Sequence, residues 1–112
     1  MIKIYATKQG EKCRLLVQGH ATTGQGEGSL VCAAVSALTG ALISFATSNP
    51  ACRYVRASLS RGNAFLSCRS GLNDTYDMTV LALRQLALEY PMHVCFPYGS
   101  TAVNDTEALS VL

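Results

Sequence analysis

Residues 29–46 read Ser29-Leu30-Val31-Cys32-Ala33-Ala34-Val35-Ser36-Ala37-Leu38-Thr39-Gly40-Ala41-Leu42-Ile43-Ser44-Phe45-Ala46, and none of them is charged. So long an uncharged run with this small-residue content is a helix. It is ended by Asn49-Pro50, where proline cannot continue the hydrogen-bond ladder. The run approaches the length of a membrane span. Ser36, Thr39, Gly40 and Ser44 make it only weakly hydrophobic, and no basic anchor flanks it, so burial inside protein is the expectation. Ala33, Ala37, Gly40, Ala41 and Ser44 form a seam of small residues that permits close backbone packing.

Working outward, Ile2, Ile4 and Ala6 alternate with Lys3, Tyr5 and Thr7, the period of a half-buried strand. Cys13, Leu15 and Val17 repeat that alternation after a Gln9-Gly10-Glu11 turn, so the chain opens on a hairpin. Beyond the helix, residues 52–60 and 63–69 make a second hairpin through Arg61-Gly62, with Val55, Ala57 and Leu59 expected to share the core side with Ala64, Leu66 and Cys68. A second helix is predicted from about Asp74 to Tyr90, capped by Asn73 or Asp74 and stopped by Pro91, with Tyr76, Val80, Leu83, Ala87 and Tyr90 on one face. Val94-Cys95-Phe96 can add an edge strand. The order ββαββα predicts a two-layer α/β domain over residues 1–98, with two helices on an antiparallel or mixed sheet. Residues 99–112 read as a mobile tail.

Cys32 falls just inside the first predicted helix, twelve residues after His20. Ser29 is the expected N-cap, which makes Leu30, Val31 and Cys32 the first three helical positions. First-turn N–H groups lack intrahelical partners and can face an anion. A thiol attacks as its thiolate, and both a helix N-terminus and a neighbouring imidazolium favour that form. Gly24, Gly26 and Gly28 punctuate a loop that can carry His20 back over the sulfur and close over a ligand. His20 and Cys32 are therefore the candidate base and nucleophile. Asp74 and Asp77 qualify as a third, orienting residue only if the second helix starts near the first. His93 and Cys95, two apart on a strand, share a face by geometry alone.

Composition bounds the rest. One hundred and twelve residues make one domain, and 49% hydrophobic content supplies its core. Only 14% of residues are charged, against about 25% in ordinary soluble domains. That leaves apolar surface for another chain to cover, most simply in a homodimer. The net charge of +2, without a basic run or an aromatic platform, argues against direct nucleic-acid binding. The five cysteines form no C-x-x-C pair, and Met1-Ile2-Lys3-Ile4-Tyr5 reads as a strand rather than an export signal, so free thiols in a reducing cytoplasm are expected. A zinc site lacks the close ligand pairs that mark such sites, and neither a metal nor another cofactor is expected.

The segment Gly19-His20-Ala21, followed by Val31-Cys32-Ala33-Ala34-Val35-Ser36-Ala37-Leu38, resembles the signature of the ribosomal-processing cysteine proteases. These are small bacterial proteins that trim an N-terminal extension from a large-subunit ribosomal protein. The resemblance implies a cysteine endopeptidase with His20 as base, Cys32 as nucleophile and Ser36 as a supporting motif member, acting on a peptide segment of a ribosomal protein. Where the family pattern has aspartate three residues before the cysteine, this chain has Ser29. Where glycine-tyrosine often follows Gly-His-Ala, it has Thr22-Thr23. Two other readings stand beside this one. One is a protease of the same fold acting on another target, such as a phage structural protein. The other is a dimeric binding module that keeps the dyad without the carboxylate.

Overall fold

The computed structural model describes residues 1–21 and 26–97; Gly24 and the tail expected over 99–112 lie outside them. Strands β1 (Ile2–Gln9) and β2 (Lys12–Gln18) form the first hairpin, followed by helix α1 (Glu27–Ser48). The second hairpin is β3 (Arg56–Ser60) and β4 (Asn63–Cys68), followed by helix α2 (Asn73–Glu89) and the short strand β5 (Val94–Cys95). The sheet order is β3-β4-β2-β1-β5. All pairings are antiparallel except β1 with β5, so the sheet is mixed.

Alternation along the strands sets the layer. Ile2, Ile4 and Ala6 of β1, Cys13, Leu15 and Val17 of β2, and Ala64, Leu66 and Cys68 of β4 are all buried. They meet Val31, Val35, Leu42 and Ala46 of α1 and Tyr76, Val80 and Leu83 of α2 in one core. Tyr76 is fully buried, and its hydroxyl lies 2.7 Å from Arg14 O and 3.0 Å from Thr7 O, tying α2 to the first hairpin. Asp77 accepts both contacts from Lys8 Nζ, at 2.9 and 3.0 Å, which occupies one of the two carboxylates considered for orienting His20. Asp74 is exposed in the first turn of α2.

Several expectations are corrected. Helix α1 begins two residues before Ser29, with Gly26 as its N-cap and no side-chain cap. Ser29 is thus the third helical residue and Cys32 the sixth, and Gly26 and Gly28 belong to the helix start rather than to a free loop. The first intrahelical bond runs from Leu30 N to Gly26 O at 3.2 Å, so the first-turn donors without an intrahelical partner are those of Glu27, Gly28 and Ser29. Burial of α1 is confined to one stripe. Gly28, Val31, Val35, Thr39, Leu42 and Ala46 are inside, while Leu30 (73% exposed), Ala33, Ala37, Ala41 and Phe45 face outward. By length and composition α1 is long and apolar enough to cross a membrane, yet its inner stripe is part of the domain core.

Strand β3 is shorter than the range 52–60, and every residue in it is exposed, including Ala57 and Leu59. Its register is as expected, Ala57 opposite Leu66 and Leu59 opposite Ala64. It is, however, the outermost strand of the sheet, so neighbours cover it on one edge only. Cys52 precedes the strand and is half-buried. Helix α2 follows Leu72 without a side-chain cap, because Asn73 itself enters the helix at φ 42°.

Burial pushes the Cys13 thiol from 9.0 up to about 12 and raises the Tyr76 phenol as well. The folded state keeps the Cys13 proton where the unfolded chain has lost it, so stability must fall as pH rises from 9 towards about 12. Urea midpoints measured across that range should decline, and Cys13→Ala should flatten the decline whatever it does to the midpoint at pH 7.

Candidate active site

Three consecutive residues after β2 are each fixed to a different part of the chain. Gly19 has φ 96°, and a Cβ there would strike the Met1 carbonyl oxygen, so only glycine fits. Its N–H donates to Gly62 O at 2.9 Å, in the turn between β3 and β4. The carbonyl of His20 accepts from the Met1 amino group at 2.6 Å. The Ala21 N–H donates to Cys32 Sγ at 3.4 Å. The chain is therefore pinned across the mouth of the gap between α1 and the second hairpin, with the sulfur on one side and the Gly62 turn on the other.

The His20 ring lies against Gly62, where an added Cβ would sit 2.5 Å from Nε2. His20 and Cys32 line one cavity of about 80 Å³, bounded by α1, by β2 and by the second hairpin. No hydrogen bond joins the ring to Sγ among the described residues; such bonds commonly tighten only when substrate is present. Ser36 lines the same cavity, one helical turn and about 6 Å along the axis from Cys32. Ser29 is exposed and outside the cavity wall, although at three residues' distance it neighbours Cys32 on the helix surface. Among the described residues, no Asp, Glu, Lys or Arg side chain lines the cavity.

The start of α1 is held from a distance. Glu27 Oε2 lies 3.1 Å from Nε2 of the buried His93, and the His93 carbonyl accepts from Ile2 N at 2.7 Å. Sequence reasoning placed His93 beside Cys95 and missed this pairing, which spans 66 residues. It also missed Gly62, read there only as a turn, and the Ala21 N–H, which carries no sequence signal at all. Among the described residues, no group of three or more His, Cys, Asp or Glu side chains is arranged to hold a metal ion.

The other thiols are placed differently. Cys13 and Cys68 are buried within the sheet. Cys68 Sγ donates to Ser70 O at 3.1 Å. Desolvation, and then the adjacent Cys68, raises the Cys52 thiol.

The model of the family described as cysteine protease Prp matches residues 1–95. The chain belongs to the Prp cysteine protease family. Its members are peptidases, and the two-layer architecture is theirs too. The ribosomal processing protease Prp from S. aureus, in complex with a covalently linked product peptide, superposes with a TM-score of 0.71 at 20% identity, covering 86% of this chain and 97% of that one. The same protease in complex with a substrate peptide gives 0.65 at 19% identity, covering 87% and 98%. SMU.848 from Streptococcus mutans gives 0.64 at 21% identity, covering 86% and 91%. A comparison with curated proteins gives no significant match.

Gly62 provides a way to displace the histidine without touching it. At φ 76°, Gly62→Ala costs about 1–2 kcal/mol in backbone conformation and pushes the His20 ring away. Misplacing a reacting group can lower rate by about 10²-fold. Gly10 has a similar φ of 61° with nothing near its missing Cβ. Gly10→Ala should therefore show a comparable loss in thermal melting but keep peptide cleavage, whereas Gly62→Ala should lose both.

Proposed function

We propose that this Prp family member is an endopeptidase that removes a short N-terminal extension from a large-subunit ribosomal protein, in the cytoplasm of a bacterium during ribosome assembly. Cys32 is the nucleophile and His20 the general acid–base. The observation that carries this reading is the shared cavity of the two side chains, with the Ala21 backbone N–H already on the sulfur. The S. aureus relatives, held with substrate and product peptides, support a peptide as the ligand.

In the reaction, His20 takes the thiol proton and Cys32 Sγ bonds to the scissile carbonyl carbon, whose oxygen becomes an oxyanion. His20 then protonates the leaving amine, and water with His20 as base releases the acyl group from sulfur. The oxyanion forms on the carbon bonded to Sγ. The Ala21 N–H, 3.4 Å from that sulfur, is placed to turn onto it. Cys32 lies too deep in α1 for its own N–H to serve, since that donor is committed to the helix ladder. A preorganised donor of this kind is worth about 2.7–4 kcal/mol in the transition state. Ser36 supports the cavity wall beside Cys32. Gly26, Gly28 and Ser29, at the start of α1, and Gly24, which precedes them in sequence, are the proposed substrate-loop residues.

The outward stripe of α1, from Leu30 through Ala33, Ala37 and Ala41 to Phe45, is uncharged. A second copy of the chain is the proposed cover, consistent with small residues that let two helix backbones approach closely.

Two measurements test the proposal. Cys32→Ala and His20→Ala should each abolish cleavage of a peptide carrying the ribosomal-protein extension, since loss of an acid–base group alone removes about 10²–10⁴ in rate. Retained cleavage in either variant removes the dyad. If the unaltered chain binds that peptide without cutting it, the binding-module reading replaces this one. Light scattering at micromolar concentration should give twice the mass of a single chain; a stable monomer would leave the α1 stripe bare and contradict the dimer.

A further inference from the structure

One flank of α2 carries a cation that no carboxylate among the described residues neutralises. Arg84 is half-buried, and its guanidinium lies over the Phe96 ring, 4.1 Å from the ring centre. Desolvation lowers its pKa. The ion pairs of the described residues join Lys8 to Asp77 and His93 to Glu27, and neither involves Arg84. Stacking on an aromatic ring uses the face of a guanidinium and leaves its in-plane N–H donors for a carboxylate.

Arg84, Ala87, Leu88 and Phe96 line a cavity of about 260 Å³. Leu88 is 77% exposed, and Leu81, 45% exposed, continues the same flank of the helix at steps of four and three residues. This surface fits an occupant that offers apolar side chains and an acid. The described part of the chain ends at Pro97, directly after Phe96 in the cavity wall. Residues 98–112 contain Asp105 and Glu107 and no base, whereas all nine Lys and Arg residues precede them. Ala108, Leu109, Val111 and Leu112 follow those acids. Reach is ample: the ten residues from Pro97 to Glu107 span up to about 33 Å when extended, and Leu81 is about 10 Å from Leu88 along the helix axis. A second copy docked here about a two-fold axis would bring another Arg84 in place of an acid.

We propose that residues 98–112, which sequence alone reads as a tail, fold back within the same chain onto this flank of α2. Asp105 or Glu107 pairs with Arg84, and the apolar residues after them cover Leu88 and Leu81. The contact is independent of the peptidase reading, since neither His20 nor Cys32 lines this cavity.

The test is thermolysin cleavage at the Ala108–Leu109 bond, followed by mass spectrometry on the whole chain and on a free peptide of residues 98–112. Cleavage of a docked segment tracks the fraction undocked, so the whole chain should be cut at least about tenfold more slowly than the peptide. Arg84→Glu and Leu88→Glu, each of which sets a negative charge against the acids, should bring the rate close to that of the peptide. Adding Asp105→Arg and Glu107→Arg to Arg84→Glu should restore protection. Leu88 is exposed, so Leu88→Glu keeps the test decisive if Arg84→Glu does not fold. Cleavage of the unaltered chain at the peptide rate overturns the proposal. So does protection that survives Leu88→Glu or a folded Arg84→Glu, and so does a charge swap that fails to restore it. Protection that decays on dilution overturns it in favour of a second copy as the occupant, because only an intermolecular contact depends on concentration.

Discussion

The stripe that α1 buries against the sheet fixes the azimuth of every other side chain on that helix. Val31, Val35, Thr39, Leu42 and Ala46 recur at steps of four, four, three and four residues, the spacing that keeps one helical face inward. Successive residues are about 100° apart around the axis. Cys32 and Ser36, each one residue beyond a buried valine, therefore come out at the margin of the interface, Cys32 half-buried and Ser36 exposed, both lining the gap beside the second hairpin. A helix buried all round would have enclosed the thiol. One rotated by a residue would have turned it to solvent. The hydrophobic effect on four apolar side chains thereby sets the position of the Cys32 sulfur.

The other half of the site is assembled by backbone. Gly19, His20 and Ala21 are held respectively by the Gly62 carbonyl, the Met1 amino group and the Cys32 sulfur. The second hairpin thus has two roles: β4 lies beside β2 in the sheet, and its turn offers a side-chain-free surface on which the His20 ring rests. Glu27 and His93 tie the entry of α1 to β5, next to the start of β1. Segments far apart in sequence converge at the cavity, which explains how a domain this small holds a thiol and an imidazole in one place.

The elements themselves were legible because their signals are local. The alternation of Ile2, Ile4 and Ala6, the Arg61-Gly62 turn and the periodic face of α2 each announce an element within a few residues. The start of α1 was not. Ser29 has the better capping side chain, yet the helix starts at Glu27 after Gly26, whose positive φ turns the chain into the helix with no side-chain cap. The exposure of β3 was also hidden, because alternation reports which face a residue takes and not whether anything covers that face. At the site, the nearness of His20 and Cys32 was readable from spacing and from family resemblance. The Ala21 N–H and the Glu27–His93 pair were not, since each depends on a contact that no local pattern records.

The central claim is that Cys32, alone among five cysteines, is the reactive nucleophile at a site built around it. The most direct measurement is peptide mapping after brief treatment of the native protein with a substoichiometric alkylating reagent at neutral pH, followed in parallel with peptide cleavage. The account predicts that Cys32 is labelled first and that activity falls in proportion to its modification. Labelling of Cys95 or Cys52 ahead of Cys32, or full activity after Cys32 is blocked, would contradict it.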